Sequence, residues 1–179
     1  MTGAVLAGGR SRRFGSDKAY YRWRGRPLYA HALFALSEAK ERFLVAPRNY
    51  PVPTRPDLFP NEGPLGGLVS ALAAAGSELV AVAPVDAPGL CPAFWRFLFS
   101  ELGSAPAVVV EGEPLIGVWR RSLFPFALKL FLSGERRAGA LVAALPVRLL
   151  SRELVVARFG AEALVNLNRP PDKAMTKAG

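Results

Sequence analysis

The sequence predicts an α/β fold built on a mostly parallel sheet with helices on both faces. Short apolar runs such as TGAVLAG, ERFLVAP and ELVAVAP have the length and composition of buried strands. Segments with apolar residues three or four positions apart lie between these runs and predict helices. Strands that alternate with helices are typical of a layered α/β architecture. We therefore predict a single three-layer, Rossmann-like domain over residues 1–179.

The predicted elements follow one another in the order that this fold requires. A helix that begins at a proline is predicted over residues 27–40, a strand over 41–47, and a proline-rich loop over 48–63. Pro125 predicts a shift or a kink in the helix that contains it. Further helices are predicted over 63–76, 92–102, 122–136, 139–145 and 170–178, and further strands over 78–84, 106–120 (two strands around EGEP), 146–151 and 162–168.

Composition excludes several classes of protein. With 51% hydrophobic and 21% charged residues the chain is not expected to be disordered, and no apolar run approaches the roughly 20 residues that span a bilayer. The first residues have no signal-peptide pattern, and the single cysteine, Cys91, favours a reducing cytoplasm. A net charge of +9 is compatible with an anionic partner, either nucleic acid or a phosphate-rich small molecule, but genomic base composition is an equal explanation of the arginine excess, so charge alone carries little weight.

The glycine-rich stretch LAGGRSRRFGSDK directly follows the first predicted strand. Gly8 and Gly9 allow backbone N–H groups to approach a ligand, and Arg12, Arg13 and Lys18 add positive charge. The stretch is neither a P-loop nor a GxGxxG turn. Taken alone, it is compatible with phosphate binding and with a flexible solvated turn.

Two more polar groups follow predicted strands. Asp86, in VAPVDAPGL, is placed to hold a hard cation such as Mg²⁺, although a turn or helix-capping role is the alternative. Asn166 and Asn168 would project from one face of a strand, towards one pocket, or would form an edge pair before a proline-stopped turn.

These motifs together resemble a known family. LAGGxSxRxGxDK is similar to the signature of nucleotidyltransferases that activate sugars, polyols and pterins, and the LAGG form resembles the molybdenum cofactor guanylyltransferases, the MobA family. Other landmarks of that family occur in the same order along nearly the whole chain: GRPLYAHAL, GPLGGLVSAL, VAPVDAPGL, EPLIGVW, SGERR and NLNRPPD.

The resemblance implies a reaction and a set of site residues. It implies transfer of GMP from GTP to the terminal phosphate of molybdopterin cofactor, with release of pyrophosphate and with Mg²⁺ held by Asp86. Lys18 and Arg13 would stabilise phosphates. The nucleotide-binding and acceptor-binding residues would be Leu6, Ala7, Gly8, Gly9, Asp57, Asn166 and Asn168.

The sequence departs from the family pattern at two positions. Ala46 stands where the family has an asparagine after the second strand, and either the nearby Asn49 or backbone groups would contact the guanine instead. Arg169 stands where many members have threonine before the proline. Base selectivity is the part of the prediction that the departure at Ala46 affects.

Alternatives from the same and from other classes remain open. One is a cytidylyl- or sugar-phosphate nucleotidyltransferase of the same fold, and another is a basic nucleic-acid-binding module, which the joint motifs disfavour. The arginines of SGERR either bind acceptor phosphate or stabilise a helix end, and RWRGR and His31 are expected to be peripheral. Expected partners are transient ones that supply or receive the cofactor, in cofactor synthesis or molybdoenzyme maturation, and no membrane.

Overall fold

The computed structural model describes residues 1–8 and 17–167. In this part of the chain seven strands form one sheet, and two short strands form a separate hairpin. The sheet strands are β1 (Thr2–Leu6), β4 (Glu41–Ala46), β5 (Thr54–Pro56), β6 (Leu79–Pro84), β7 (Ala107–Val110), β8 (Glu113–Arg120) and β9 (Arg148–Leu150), and the hairpin strands are β2 (Arg22–Trp23) and β3 (Arg26–Pro27).

Six α-helices and three short 3₁₀ helices connect these strands among the described residues. The α-helices are α1 (Leu28–Ala35), α2 (Pro64–Ala74), α3 (Pro92–Glu101), α4 (Phe124–Leu132), α5 (Ala138–Ala143) and α6 (Arg152–Phe159). The 3₁₀ helices are Lys18–Tyr20, Arg121–Leu123 and Ala161–Leu164. No helix in these described ranges is both long and apolar enough to cross a bilayer.

The sheet has the strand order β5-β4-β1-β6-β8-β7-β9 and is mostly parallel, which confirms the predicted fold class. β1 pairs in parallel with β4 on one side and with β6 on the other. β8 is inserted antiparallel between β6 and β7. The carboxyl ends of β1, β4, β5 and β6 consequently meet along one edge of the sheet.

Two apolar clusters, one on each face of the sheet, produce the three layers. Residues alternate between them along β1, since Val5 belongs to the cluster under α1 and α3 while Ala4 and Leu6 belong to the cluster under α2 and α4. Val108 and Val109 of β7 divide in the same way. This alternation is the two-residue period of a strand that is buried on both faces.

Several elements differ from the sequence prediction. The described part of the strand predicted over 162–168, residues 162–167, does not form a strand, because a 3₁₀ helix over Ala161–Leu164 is followed by irregular chain. The prediction also missed β5 within the proline-rich loop and the whole of α6. Pro125 lies in the first turn of α4, where its missing N–H breaks no helical hydrogen bond. The predicted helix over 170–178 lies outside the described residues.

Candidate active site

The site lies at the carboxyl edge of the sheet, around the end of β1. The Leu6 carbonyl accepts a hydrogen bond from Val85 N at 3.0 Å, and Ala7 N donates to the Val45 carbonyl at 2.9 Å. These two bonds extend the pairing of β1 by one residue on each side. They place the start of the glycine loop between the segments that follow β4 and β6. In open α/β sheets this edge is where ligands bind.

Lys18 and Asp86 form an ion pair at this edge, although 68 residues separate them in the sequence. Lys18 Nζ donates to Asp86 Oδ2 at 2.5 Å, and the two side chains are only 14% and 16% exposed. Lys18 opens a 3₁₀ helix at the end of the glycine loop, and Asp86 lies two residues beyond β6. The structure thus brings together the cation and the carboxylate that the sequence predicted at one site.

The second oxygen of Asp86 has different surroundings. Asp86 Oδ1 is buried and accepts no hydrogen bond from the part of the chain that the structure describes. A buried carboxylate oxygen without a partner is costly, and a hard cation is a chemical partner that removes the cost. The described residues contain no cluster of three or more His, Cys, Asp or Glu side chains that could hold a metal alone. Asp86 therefore fits a cation that takes its remaining ligands from phosphates and water.

Asp57 faces the glycine loop from the other side. It follows β5, and its amide donates to the Ala46 carbonyl at 2.9 Å. Phe59 N at 3.0 Å and Ser70 Oγ at 3.2 Å both donate to Oδ1. Asp57 Oδ2 would lie 2.6 Å from a Cβ placed on Gly8, so no side chain fits at residue 8 without displacing this carboxylate. Asp57 thus lies beside Gly8, in the predicted nucleotide-binding backbone.

The segment around Asn166 packs against the loop of Asp86. Leu167 N donates to the Asp86 carbonyl at 3.0 Å, and Asn166 itself is exposed. A Cβ on Gly89 would lie 1.8 Å from the Glu162 carbonyl oxygen, so the two segments are in direct backbone contact. Asn166 reaches the vicinity of the site without the strand that was predicted to carry it.

The predicted roles of the individual backbone groups remain predictions. The sheet engages the Leu6 carbonyl and the Ala7 N–H, which leaves the Gly8 N–H at the start of the loop as a candidate donor. Gly9, Arg12, Arg13 and Asn168 lie outside the described residues.

Sequence reasoning missed Asp17 and Tyr50. Asp17 Oδ1 accepts a hydrogen bond from Ala19 N at 3.1 Å, and Tyr50 donates its hydroxyl proton to Asp17 Oδ2 at 2.6 Å. Burial, and secondarily the hydrogen bond to Asp17, raises the pKa of Tyr50. The signal for Asp17 was its place as a fixed position of the LAGGxSxRxGxDK signature, directly before Lys18, whereas nothing local pointed to Tyr50.

The charged side chains of the SGERR segment form hydrogen bonds and ion pairs within the protein. Glu135 Oε1 accepts from the amides of Arg136 and Arg137, both at 2.9 Å, and the side-chain bond from Arg137 lowers the pKa of Glu135 to about 2. The Arg136 guanidinium donates to Glu62 and lies over the ring of Phe131, 4.2 Å from its centroid. Arg136 also donates to the Phe131 carbonyl at 2.9 Å, in the last turn of α4, which is in line with the helix-end role that the sequence left open beside phosphate binding. The Arg136 carbonyl in turn accepts from Leu65 N at 3.0 Å, at the start of α2.

Other residues that the sequence singled out lie around the site or in the core. Nε2 of His31 is 2.7 Å from the Trp23 carbonyl and ties α1 to the β2–β3 hairpin that contains RWRGR. Ala46 is buried at the end of β4, whereas Asn49 is exposed. Cys91 is half-buried and precedes α3.

Comparison with known proteins defines the class. The MobA-like NTP transferase domain family matches residues 3–149. A probable molybdenum cofactor guanylyltransferase of Deinococcus radiodurans is 37% identical over 184 residues, which cover 97% of this chain and 92% of that protein. A probable molybdenum cofactor guanylyltransferase of Opitutus terrae is 33% identical and covers 97% of this chain and 93% of its own length.

Solved structures agree on the fold. Molybdopterin-guanine dinucleotide biosynthesis protein A of Archaeoglobus fulgidus is similar with a TM-score of 0.80 at 24% identity, over 95% of this chain and 93% of that chain. The 2-C-methyl-D-erythritol 4-phosphate cytidylyltransferase of Thermus thermophilus is similar with a TM-score of 0.71 at 18% identity, over 96% and 95% of the two chains.

Fold, site and sequence relatives together define a nucleotidyltransferase, an enzyme that transfers a nucleotide to an acceptor. More particularly, the chain belongs to the family with the MobA-like NTP transferase domain.

Proposed function

We propose that this enzyme transfers GMP from GTP to the terminal phosphate of molybdopterin cofactor and thereby forms molybdopterin guanine dinucleotide. The single observation that carries the proposal is the Lys18–Asp86 pair at the carboxyl ends of β1 and β6, with Asp86 Oδ1 buried and unpartnered. The relatives from Deinococcus radiodurans and Opitutus terrae are named for this activity, which supports the choice of substrates.

The reaction is an in-line exchange at phosphorus. An oxygen of the acceptor phosphate forms a bond to the α-phosphorus of GTP, the bond from that phosphorus to the α–β bridging oxygen breaks, and pyrophosphate carries the electron pair away. Negative charge develops on the equatorial and leaving oxygens in the transition state. Such chemistry depends on positioning and on charge stabilisation, and it needs no covalent nucleophile.

The described residues supply distinct parts of this task. The Lys18 ammonium, which pairs with Asp86 at the end of the glycine loop, would stabilise the developing charge on the phosphate oxygens. Asp57 Oδ2 faces Gly8 and is placed to accept a hydrogen bond from the nucleotide. Asn166 lies next to the Asp86 loop and would contact the acceptor. Arg13, Gly9 and Asn168 complete the proposed set from outside the described residues.

We further propose that the enzyme depends on Mg²⁺. Asp86 would hold the ion, with phosphate oxygens and water as the other ligands, and the bound ion would neutralise charge on the phosphates. The buried, unpartnered Asp86 Oδ1 supports this choice, because a carboxylate oxygen is a preferred ligand of a hard cation. Lys18 occupies Oδ2, so the two cations would share the carboxylate through different oxygens.

The proposed setting of the enzyme is the cytoplasm, which the single cysteine supports. Transient contacts with the proteins that deliver the cofactor or receive the product are part of the same proposal.

Product analysis by mass spectrometry tests the reaction. Purified protein is incubated with molybdopterin, Mg²⁺ and an equimolar mixture of the four NTPs, and the Asp86→Ala variant and a sample without Mg²⁺ serve as controls. We expect the guanine dinucleotide and pyrophosphate from the wild type only. A cytosine dinucleotide would replace the proposed donor by CTP, and no dinucleotide from the wild type would contradict the proposal.

A further inference from the structure

Tyr50 reaches the site from a segment that the reaction does not otherwise use. It lies in the loop after β4, is only 8% exposed, and donates its hydroxyl proton to Asp17 Oδ2 at 2.6 Å. The two residues are 33 positions apart in the sequence. The bond ties the end of the glycine loop to the loop that follows β4.

Asp17, which Tyr50 holds by this hydrogen bond, in turn caps the short helix that begins at Lys18. Its other carboxylate oxygen, Oδ1, accepts from Ala19 N at 3.1 Å and caps the 3₁₀ helix over Lys18–Tyr20. The Asp17 carbonyl accepts from Tyr20 N at 3.1 Å. A side chain that hydrogen-bonds the first amides of a turn fixes the direction in which the turn leaves the preceding loop. Lys18 is the first residue of that turn, and its ammonium group meets Asp86.

Aromatic packing holds the tyrosine hydroxyl in place. The Tyr20 ring stacks on the Tyr50 ring with centroids 5.2 Å apart, and the Tyr29 ring meets it edge-on at 5.9 Å. Burial and the Asp17 carboxylate raise the pKa of Tyr50, so the phenol keeps its proton at neutral pH and acts as a donor. Arg48 is the other side chain on Asp17 Oδ2, at 3.3 Å, and it is 63% exposed. Tyr50 is therefore the better ordered of the two partners.

We propose that Tyr50 is a positioning residue for Lys18, acting through Asp17. The inference rests on the proposed function, in which Lys18 stabilises charge on the phosphates. Without the Tyr50 hydroxyl, Asp17 Oδ2 would keep the solvent-exposed Arg48 as its partner. The Asp17 carboxylate that caps the helix beginning at Lys18 would then lose its fixed orientation. A less fixed ammonium stabilises a transition state less well, because the reacting geometry requires placement within a fraction of an ångström.

The direct test is Tyr50→Phe, which removes the hydroxyl and keeps the ring. We expect kcat to fall about threefold to tenfold, the effect of one hydrogen bond, with KM for GTP nearly unchanged. The matched control is Tyr29→Phe, which removes a hydroxyl from the same ring cluster but from a residue that makes no hydrogen bond to Asp17. Equal effects of the two variants on kcat would overturn the inference.

A double-mutant cycle separates positioning from a merely structural role. Lys18→Ala alone should lower kcat about tenfold or more, as expected for a charge-assisted contact. If Tyr50 acts through Lys18, Tyr50→Phe should have no further effect on kcat in the Lys18→Ala background. Two losses that multiply would show that Tyr50 acts by another route and would overturn the inference.

A measurement that does not use the reaction keeps the two proposals apart. Lysines methylated with carbon-13 give NMR signals, and the Lys18 signal is identified by its absence in Lys18→Ala. We expect Tyr50→Phe to shift or broaden that signal and to leave the signals of Lys40 and Lys129 in place. An unchanged Lys18 signal overturns the inference whatever the activity, whereas a wild type that makes no dinucleotide contradicts the proposed function only.

Discussion

Asp86 presents its two carboxylate oxygens to opposite surroundings. Oδ2 is paired with Lys18, while Oδ1 is buried without a donor among the described residues. A stability requirement alone would not leave one oxygen in this state, since an unpartnered buried acceptor costs roughly 1–3 kcal/mol. The arrangement is explained if the oxygen is kept for a ligand that arrives with the substrate.

Replacing this carboxylate gives the first prediction. Asp86→Ala should abolish Mg²⁺-dependent GMP transfer and leave the fold intact, because the residue lies on a loop beyond β6 and not in the core. Transfer rates over a range of Mg²⁺ concentrations and a far-UV circular dichroism spectrum measure the two halves of this expectation. Glu153→Ala, on the exposed first turn of α6, is the matched control. Wild-type turnover by Asp86→Ala would remove the residue from the mechanism.

At the scale of single residues, the sequence could predict which charged residues belong to the site, but not which side chains form hydrogen bonds with one another. Asp86 stood out as a carboxylate just after an apolar strand, and Lys18 as a cation in the glycine-rich loop that leaves another strand; both positions are where α/β sheets bind ligands. Asp57 was implied only by the family resemblance, and its position depends on β5, a three-residue edge strand that contains proline and that the sequence prediction missed. Tyr50 was not predictable, since its partner Asp17 is distant in the sequence and only the folded sheet brings their loops together.

The elements show where local signals were sufficient and where they were not. α6 was missed although its start and end are marked, since Ser151 Oγ accepts from Leu154 N at 3.2 Å and Gly160 ends it with a φ of 83°. The apolar residues of EALVNLN suggested a strand because the run is short and lacks a helical period. Tertiary packing decides such runs, and Ala163 and Leu164 are buried as part of a 3₁₀ helix.

The contact between this segment and the Asp86 loop gives the second prediction. A Cβ on Gly89 would meet the Glu162 carbonyl oxygen at 1.8 Å, so Gly89→Ala must push the two segments apart. We expect a loss of about 1–3 kcal/mol in the free energy of unfolding, together with reduced transfer, because Leu167 N and the Asp86 carbonyl would separate. Urea unfolding measures the first and steady-state kinetics the second.

Gly139→Ala is the matched control for this prediction. Gly139 lies in α5, and a Cβ there would meet nothing within 4 Å. Alanine should be neutral or slightly stabilising at this helical position. If Gly89→Ala unfolded at the same urea concentration as Gly139→Ala, the result would contradict a close backbone contact between Gly89 and Glu162.

A carboxylate at the opposite edge of the sheet joins three elements and gives the third prediction. Glu41, at the start of β4, accepts from the Thr2 hydroxyl at 2.7 Å and from Gly76 N at 2.6 Å. The hydrogen bond from Thr2, followed by that from Gly76, lowers the pKa of Glu41 below its ordinary value of 4.5. A lowered pKa in the folded state means that the stabilisation is complete above pH 4.5 and is lost as the pH falls through the lowered value.

Glu41→Gln should therefore destabilise the protein at pH 7 by about 1 kcal/mol, a value reduced because the carboxylate is only partly buried. The difference from the wild type should shrink steadily as the pH falls below 4.5. Urea unfolding at a series of pH values measures it, and Glu78→Gln, whose carboxylate pairs with Arg120 at the surface, is the control. A difference that stayed constant down to pH 3 would contradict the assigned cause.

At the scale of the whole molecule, the three layers were predictable because every long strand carries apolar residues on both faces. The charge was harder to interpret. In the described part of the chain, arginines with glutamate partners are spread over the surface, as Arg24 with Glu162 and Arg152 with Glu113 illustrate. Internal pairing of this kind accounts for part of the arginine content and does not build a single basic stripe. The net charge of +9 is thus weak support for a nucleic-acid partner.

Ligand binding to the folded molecule gives the last prediction. A ligand that binds only the native state stabilises it by about 2.7 kcal/mol at a hundred times its Kd. For a chain of this size that amounts to a rise of roughly 5–10 °C in Tm. We expect GTP with Mg²⁺ to produce such a rise, GTP without Mg²⁺ to produce a smaller one, and ATP and UTP to produce little. Equal rises in Tm with all four NTPs would contradict the predicted selectivity for guanine, because contacts to the triphosphate alone do not distinguish bases. A rise in Tm with CTP alone would show that the pocket selects cytosine. In Asp86→Ala, the part of the GTP-induced rise that depends on Mg²⁺ should disappear, while the rise produced by GTP without Mg²⁺ should persist.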